Sequence, residues 1–305
     1  MKKIIIHRCL IIILLLLTGI SSPIEAQSDT RNVTDQLGRK IRLTEDPKRV
    51  ISLAPNSTEI IYALGQEHRL IGATRYSDYP PEALNLTRVG SYVHLDLERI
   101  VALKPDLCIA IKDGNPIAVV KRLESLNIPV YAVDPRNTEA VIDTIIEIGH
   151  LLNADEKAKE LARDMRLRIR KVKSMIAKTH QRPRVFIQIG IAPIVSAGTR
   201  TFIHELIGLA GGKNLAEGPT VYPRYSQEQV VALSPEVFII SSMARGERFD
   251  QIKAEWSQWP DLPAVRNQRI FLVDSNLFDR PSPRLVDALE LLVPLIHPEL
   301  FEVAQ

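Results

Sequence analysis

Four short clusters in this chain gather aromatic, amide, acidic and guanidinium side chains between apolar stretches. They are Tyr76–Pro81 (YSDYPP), Ser91–His94 (SYVH), Val221–Tyr225 (VYPRY) and Asn276–Arg284 (NLFDRPSPR). Aromatic rings so placed can cover a large flat ligand, while asparagine and arginine meet its carbonyl or phosphate oxygens. Loop tyrosines also pin turns, and each taken singly fits that reading as well. Signatures of catalysis are missing: there is no Gly-x-Ser-x-Gly, no Walker loop, no His-Glu-x-x-His and no Cys-x-x-Cys. The seven histidines are scattered, and His204-Glu205 lacks a second histidine at metal-binding spacing, which argues against a structural zinc site. An exported hydrolase would need a nucleophile or metal constellation that these motifs do not supply.

The elements that must position these clusters are marked by a repeat. Asp96–Ala110 (DLERIVALKPDLCIA) aligns without a gap on Ser226–Ile240 (SQEQVVALSPEVFII). In each copy a capping residue, Asp96 or Ser226, opens a short helix, since its side-chain oxygen can accept from first-turn N–H groups. Gln229 completes a capping-box pattern in the second copy. Pro105 or Pro235 then ends the helix, and an apolar run (Leu107 to Ala110, Val237 to Ile240) reads as a buried parallel strand. Glu98 and Glu228 occupy the same place in the first helical turn, where a carboxylate complements the positive end of the helix.

The surrounding chain is α/β in pattern. Residues 32–43 alternate apolar and polar about Leu37, Gly38 and Arg39, as a hairpin does. Strands are expected at 49–53, 70–73, 106–110 and 130–133. Helices are expected at Thr58–Leu64, with Ser57 as cap and Gly65 as stop, and at 116–126, with Asn115 as cap. From Thr138 to about Thr179 only helix formers occur: Thr138–Leu152, then a run of about six turns over Asp155–Lys178. The second run carries Lys157, Lys159, Arg163, Arg166, Arg168, Arg170, Lys171 and Lys173 and reads as a solvated face. Strands resume at 185–189, 237–240 and 270–273, and a last helix spans 284–296. The segment 200–212 faintly echoes 57–65. The expected organisation is an N-terminal α/β lobe (32–153), an interlobe helix (154–180) and a C-terminal α/β lobe (181–305). Ligand sites favour such interlobe clefts.

Composition agrees with a globular chain of 305 residues, 45% hydrophobic and 25% charged. Residues 1–26 stand apart, with Lys2, Lys3 and Arg8 ahead of the apolar run Cys9–Leu17 and small residues before Ala26. This is the pattern of a cleavable signal peptide, with export to the periplasm; the run is short for a membrane span, and retention as an uncleaved anchor is the lesser alternative. Cleavage would remove three positive charges and Glu25, so the formal net charge of +3 falls to +1. That balance gives no basis for a nucleic-acid partner. Cys108 would then be the sole cysteine, unable to form an internal disulfide. The sequons at Asn32, Asn56 and Asn85 are too short a motif to carry weight.

With these residues in hand, the chain resembles the periplasmic substrate-binding proteins of the cobalamin and iron-complex class that serve ABC importers, nearest the cobalamin-binding branch. The similarity runs from about Val33 through RVISL (49–53), YSDYPP, the two repeat copies and RPSPR (280–284). It implies two Rossmann-like lobes with central parallel sheets bridged by one long rigid helix, a class III binding protein that opens little and has no catalytic activity or catalytic cofactor. It implies cobalamin or a related corrinoid as transported ligand, haem or a ferric siderophore being the alternative. Ligand contacts carry over to Tyr76, Tyr92, Tyr222 and to Asn276, Leu277, Phe278, Asp279 and Arg280. Tyr92 and Tyr222 stand where the family's cobalamin protein has tryptophans, Ile189 where it has phenylalanine and Asn276 where it has aspartate. His94 is a weak candidate axial ligand for a metal centre; its place in a loop near a helix start fits a structural or surface role better. The resemblance further implies a monomer whose Glu98 and Glu228 dock on arginines of a permease dimer with its ATPase subunits.

Overall fold

The structure, a computed structural model, describes residues 29–241 and 248–301; the leader expected at 1–26 lies outside them. A hairpin opens it, β1 (Thr30–Thr34) pairing antiparallel with β2 (Lys40–Thr44). Asp35 turns it, its Oδ1 accepting from the Leu37 and Arg39 N–H groups at 3.0 and 2.8 Å, and Gly38 supplies the left-handed φ of +76°.

The first lobe then alternates β3 (Val50–Ser52), α1 (Pro55–Ala63), β4 (Leu70–Ala73), α2 (Leu97–Ala102), β5 (Leu107–Ile111), α3 (Ile117–Ser125) and β6 (Val130–Val133). Helices α4 (Thr138–Leu151) and α5 (Asp155–Ile176) follow. The second lobe holds β7 (Arg184–Gln188), β8 (Ile194–Val195), α6 (Phe202–Leu209), β9 (Lys213–Asn214), β10 (Arg224–Tyr225), α7 (Gln227–Leu233) and β11 (Val237–Ser241). It ends with α8 (Arg248–Ser257), α9 (Pro263–Arg266), β12 (Ile270–Val273), α10 (Ser275–Phe278) and α11 (Leu285–Ile296). Both central sheets are parallel and share one topology: β4-β3-β5-β6 and β9-β7-β11-β12 each place the lobe's first strand second from the edge. The fold is thus the expected α/β pair of lobes with a long helix between their sheets. The two repeat copies each supply the third strand of the order, β5 and β11.

Helix α5 buries Ala158, Ala162, Met165, Ile169, Val172 and Ile176, a stripe at spacings of three and four. That stripe joins side chains of both sheets, from Val50 and Leu107 to Val185 and Val237, into one apolar cluster. The basic run on α5 is less free than its sequence suggests. Arg168 is paired with Glu290 at 2.6 Å and with Asp287 on α11, and Arg166 holds Glu139 on α4.

Two expected caps are corrected. Helix α1 begins at Pro55, a residue that starts helices readily because it has no N–H to satisfy. Ser57 therefore lies inside the first turn, fully buried, its hydroxyl donating to the Ala54 carbonyl at 2.9 Å. Asn115 does not cap α3, whose N-cap is Pro116. Its amide instead accepts from the Ile111 N–H at 2.8 Å and donates to the carbonyls of Leu53 and Tyr92 at 2.9 and 2.8 Å. Three loops are pinned by that one side chain. Helices α8 to α10 had no sequence expectation.

Candidate ligand-binding cleft

The repeated helix starts form as expected. Asp96 accepts from the Arg99 N–H at 3.0 Å, and Ser226 and Gln229 form the full capping box. Glu98 and Glu228 are both exposed in their first turns. The symmetry extends to residues that the sequence did not single out. Lys104 and Ser234 take the same left-handed turn, at φ 48° and 50°. Arg49, at the head of the first lobe's sheet, donates to the Leu103 and Lys104 carbonyls at 2.6 and 3.0 Å; Arg184, at the head of the second, donates to the Leu233 carbonyl. Asp106 in turn accepts from the Arg49 N–H at 2.9 Å, and Glu236 from the Arg184 N–H at 2.7 Å. Each arginine thus closes the free carbonyl end of its short helix.

Between the lobes, at the carboxyl ends of the strands, lies a cavity of about 260 Å³. Tyr76, Tyr92 and Tyr222 line it together with Ile111, Ile189 and Phe202. Residues 54–56 and Asn276, Asp279, Arg280 and Pro281 also line it. Tyr92 lies flush against Gly114, where an added Cβ would come within 2.6 Å of its ring, so that glycine is required by close approach. Burial raises the Tyr92 phenol pKa; burial and then the nearby Asp113 push Tyr222 up to about 12, so both remain neutral donors at neutral pH. A smaller cavity of about 80 Å³ shares Asp113, Phe202, Tyr222 and Asp279 with this chamber, and Arg136 and Thr201 with a separate groove of about 800 Å³. Lys112, Arg136, Arg200 and His204 border that groove.

Arg280 lines the chamber but is 6% exposed and engaged across the lobes. It donates to Glu59 Oε1 at 2.9 Å, to the Tyr76 carbonyl and Asp78 Oδ1 at 2.8 Å, and to Asn276 Oδ1 at 2.5 Å. Arg284 donates to both Glu59 oxygens at 2.9 and 2.7 Å, and Ser282 Oγ donates to Glu59 Oε2 at 2.7 Å. The Arg284 guanidinium also stacks on the Tyr79 ring, 3.5 Å from its centroid. A single buried glutamate from α1 thereby fixes the loop before α11. Asp279 differs. It borders the chamber, accepts from Ser241 Oγ at 2.8 Å, and is pushed up to about 7 by burial, against the lowering influence of Ser241 and Arg280.

The cleft therefore brings together Tyr76, Tyr92, Tyr222, Asn276, Asp279 and Arg280. Phe278 is buried in the apolar core, Leu277 packs against it, and neither borders the chamber. His94 is exposed and also lies outside the chamber's lining. Among the described residues no group of three or more His, Cys, Asp or Glu side chains could hold a metal. Sequence reasoning missed Asn56, Glu59, Asp113 and Phe202. Glu59 had a usable signal: it is a charge at the head of an apolar helical run (EIIYAL), a placement that demands a buried partner.

Comparison with known proteins fits this architecture. Residues 50–277 match the family model described as periplasmic binding protein, and the chain belongs to that family. A relative named vitamin B12-binding protein, from Vibrio parahaemolyticus, is 35% identical over 247 residues, covering 80% of this chain and 88% of the relative. The crystal structure of the periplasmic vitamin B12 binding protein of Vibrio cholerae superposes with a TM-score of 0.75 at 32% identity, covering 84% of this chain and 99% of that one. A periplasmic heme binding protein from Pseudomonas aeruginosa reaches a TM-score of 0.76 at 28% identity, covering 83% and 93%.

Proposed function

We propose that this protein is the substrate-binding component of an ABC importer, that it captures cobalamin or a related corrinoid in the interlobe cleft, and that it releases the ligand to a membrane permease. The observation that carries this reading is the chamber walled by Tyr76, Tyr92, Tyr222 and Phe202 between two lobes of the periplasmic binding protein fold. The names of its relatives support it. Cofactor pockets usually occupy about 300–1,000 Å³. At 260 Å³ the aromatic chamber accepts one edge of a macrocycle, and the groove of about 800 Å³ that shares Arg136 and Thr201 with the adjoining cavity has room for the remainder. Tyr92 and Tyr222 in place of tryptophans keep a flat apolar face and add a phenol donor. The leader at 1–26 directs export to the periplasm, and the protein binds without catalysis.

Haem is the second reading, favoured by the likeness to a periplasmic heme binding protein. Titrating the purified protein with cyanocobalamin, dicyanocobinamide, haemin and a ferric siderophore separates the two. Binding of a corrinoid by calorimetry is expected; no corrinoid response together with a haemin Soret shift would refute the corrinoid reading. Glu98 and Glu228 serve as paired docking acids for the two permease subunits. Replacing both with alanine should abolish uptake in cells while leaving ligand affinity unchanged, and unchanged uptake would exclude the docking role.

A further inference from the structure

We propose that the Asn56 side chain is a ligand contact, donating a hydrogen bond from its amide to an oxygen on the rim of the molecule held in the chamber. The proposal rests on the corrinoid-or-haem reading above and names the chemistry that the chamber recognises. Among the described residues, three buried side-chain atoms have no hydrogen-bond partner: Arg31 Nε, Thr44 Oγ1 and Asn56 Nδ2. The first two belong to the opening hairpin, whereas Asn56 lines the aromatic chamber while only 2% exposed. Buried polar groups are nearly always paired, because stripping water from an unpaired donor is costly. An amide held in that condition on a cavity wall is matched to an acceptor arriving with the ligand.

Asn56 also sits in the first turn of α1, whose positive end opens on the chamber through Ala54 and Pro55. That end has neither a side-chain cap nor an acid in its first turn. The corresponding helix of the second lobe, α6, is closed by the Thr201 hydroxyl, which accepts from the His204 N–H at 3.1 Å, and has Glu205 in its first turn. One lobe thus satisfies its helix start internally, and the other presents it, with the amide, to the ligand. The partner chemistry is an oxygen acceptor: the amide carbonyls that fringe a corrinoid or the carboxylates of haem. Cations are excluded by the donor and by the positive end of the helix.

The test is Asn56→Leu, similar in volume and without the amide, studied by calorimetry and thermal melting. Loss of one hydrogen bond should weaken the wild-type ligand's affinity about five- to tenfold. The ligand-free variant should melt at a higher temperature, because an unpaired buried donor has been removed. Affinity within twofold of wild type, or a lowered melting temperature, overturns the proposal. A wild-type protein that binds no macrocycle overturns this inference and the functional reading together, whereas a binding wild type with an indifferent variant overturns the amide's role alone. Weakening towards cyanocobalamin identifies a carbonyl as the acceptor, and weakening towards haemin a carboxylate. Asn56→Asp should penalise the carboxylate ligand more severely.

Discussion

Where the repeated helices end, the two lobes match contact for contact, while at the cleft between them they diverge. Arg49 and Arg184 close equivalent helix ends, Asp106 and Glu236 hold equivalent backbone N–H groups, and Lys104 and Ser234 make equivalent left-handed turns. In the cleft, α1 starts uncapped where α6 is capped, and Glu59 of the first lobe reaches Arg280, Ser282 and Arg284 of the second. Contacts that close a short helix and start a strand act over a few residues, so they can be built twice to one plan. The cleft is not built to one plan, since its two walls come from different elements of the two lobes.

The largest effect should come from breaking the cleft's own contact. Glu59→Ala strands two guanidinium groups beside a buried vacancy, a change that costs about 3–5 kcal/mol for buried pairs. Urea denaturation would measure it, and a loss below about 1 kcal/mol would show that the cluster does not hold the lobes. Asp279 comes next. Its folded pKa of about 7 lies above its ordinary 3.8, so the native state retains a proton that the unfolded chain releases. The stabilising contribution is complete below about pH 4 and is lost as pH rises through 7. Asp279→Asn should therefore gain stability relative to wild type between those values, by roughly 2 kcal/mol, discounted from the full linkage because the carboxyl borders an open cavity. Equal pH dependence of wild type and variant would contradict the buried-acid assignment. The smallest effect tests the matching helix ends: Arg49→Ala and Arg184→Ala should each cost about 1 kcal/mol, agree within about 0.5, and add in the double variant because the sites are distant. Unequal losses would show that the matching contacts do not carry matching energies.

Much of the fold was legible because it follows local rules. Asp96, Ser226 and Gln229 cap where short-range hydrogen bonding requires, and Gly65 ends α1 in the left-handed region, at φ +69°. The two missed caps show the limit. Ser57 and Asn115 carry the side chains of caps, but Pro55 set the start of one helix and Asn115 was drawn to the carbonyls of Leu53 and Tyr92, distant in sequence. Within the cleft, the tyrosines were legible as polar aromatics in loops at strand ends. Leu277 and Phe278 were not separable from Asn276 and Asp279, because which side of a four-residue helix faces a cavity depends on what packs behind it.

The sequence by itself determined the two α/β lobes, the helix between them, the repeated helices and the loops from which the cleft is made, since periodicity, capping and proline stops act over a few residues. Only the tertiary structure decided that Arg280 is spent on Glu59 and Asp78, that Asp279 is forced towards neutrality, and that Asn56, a residue lining the chamber, has a buried amide nitrogen without a partner. Burial and charge pairing are properties of neighbours brought together from more than 200 positions apart in the chain, as Glu59 and Arg280 are.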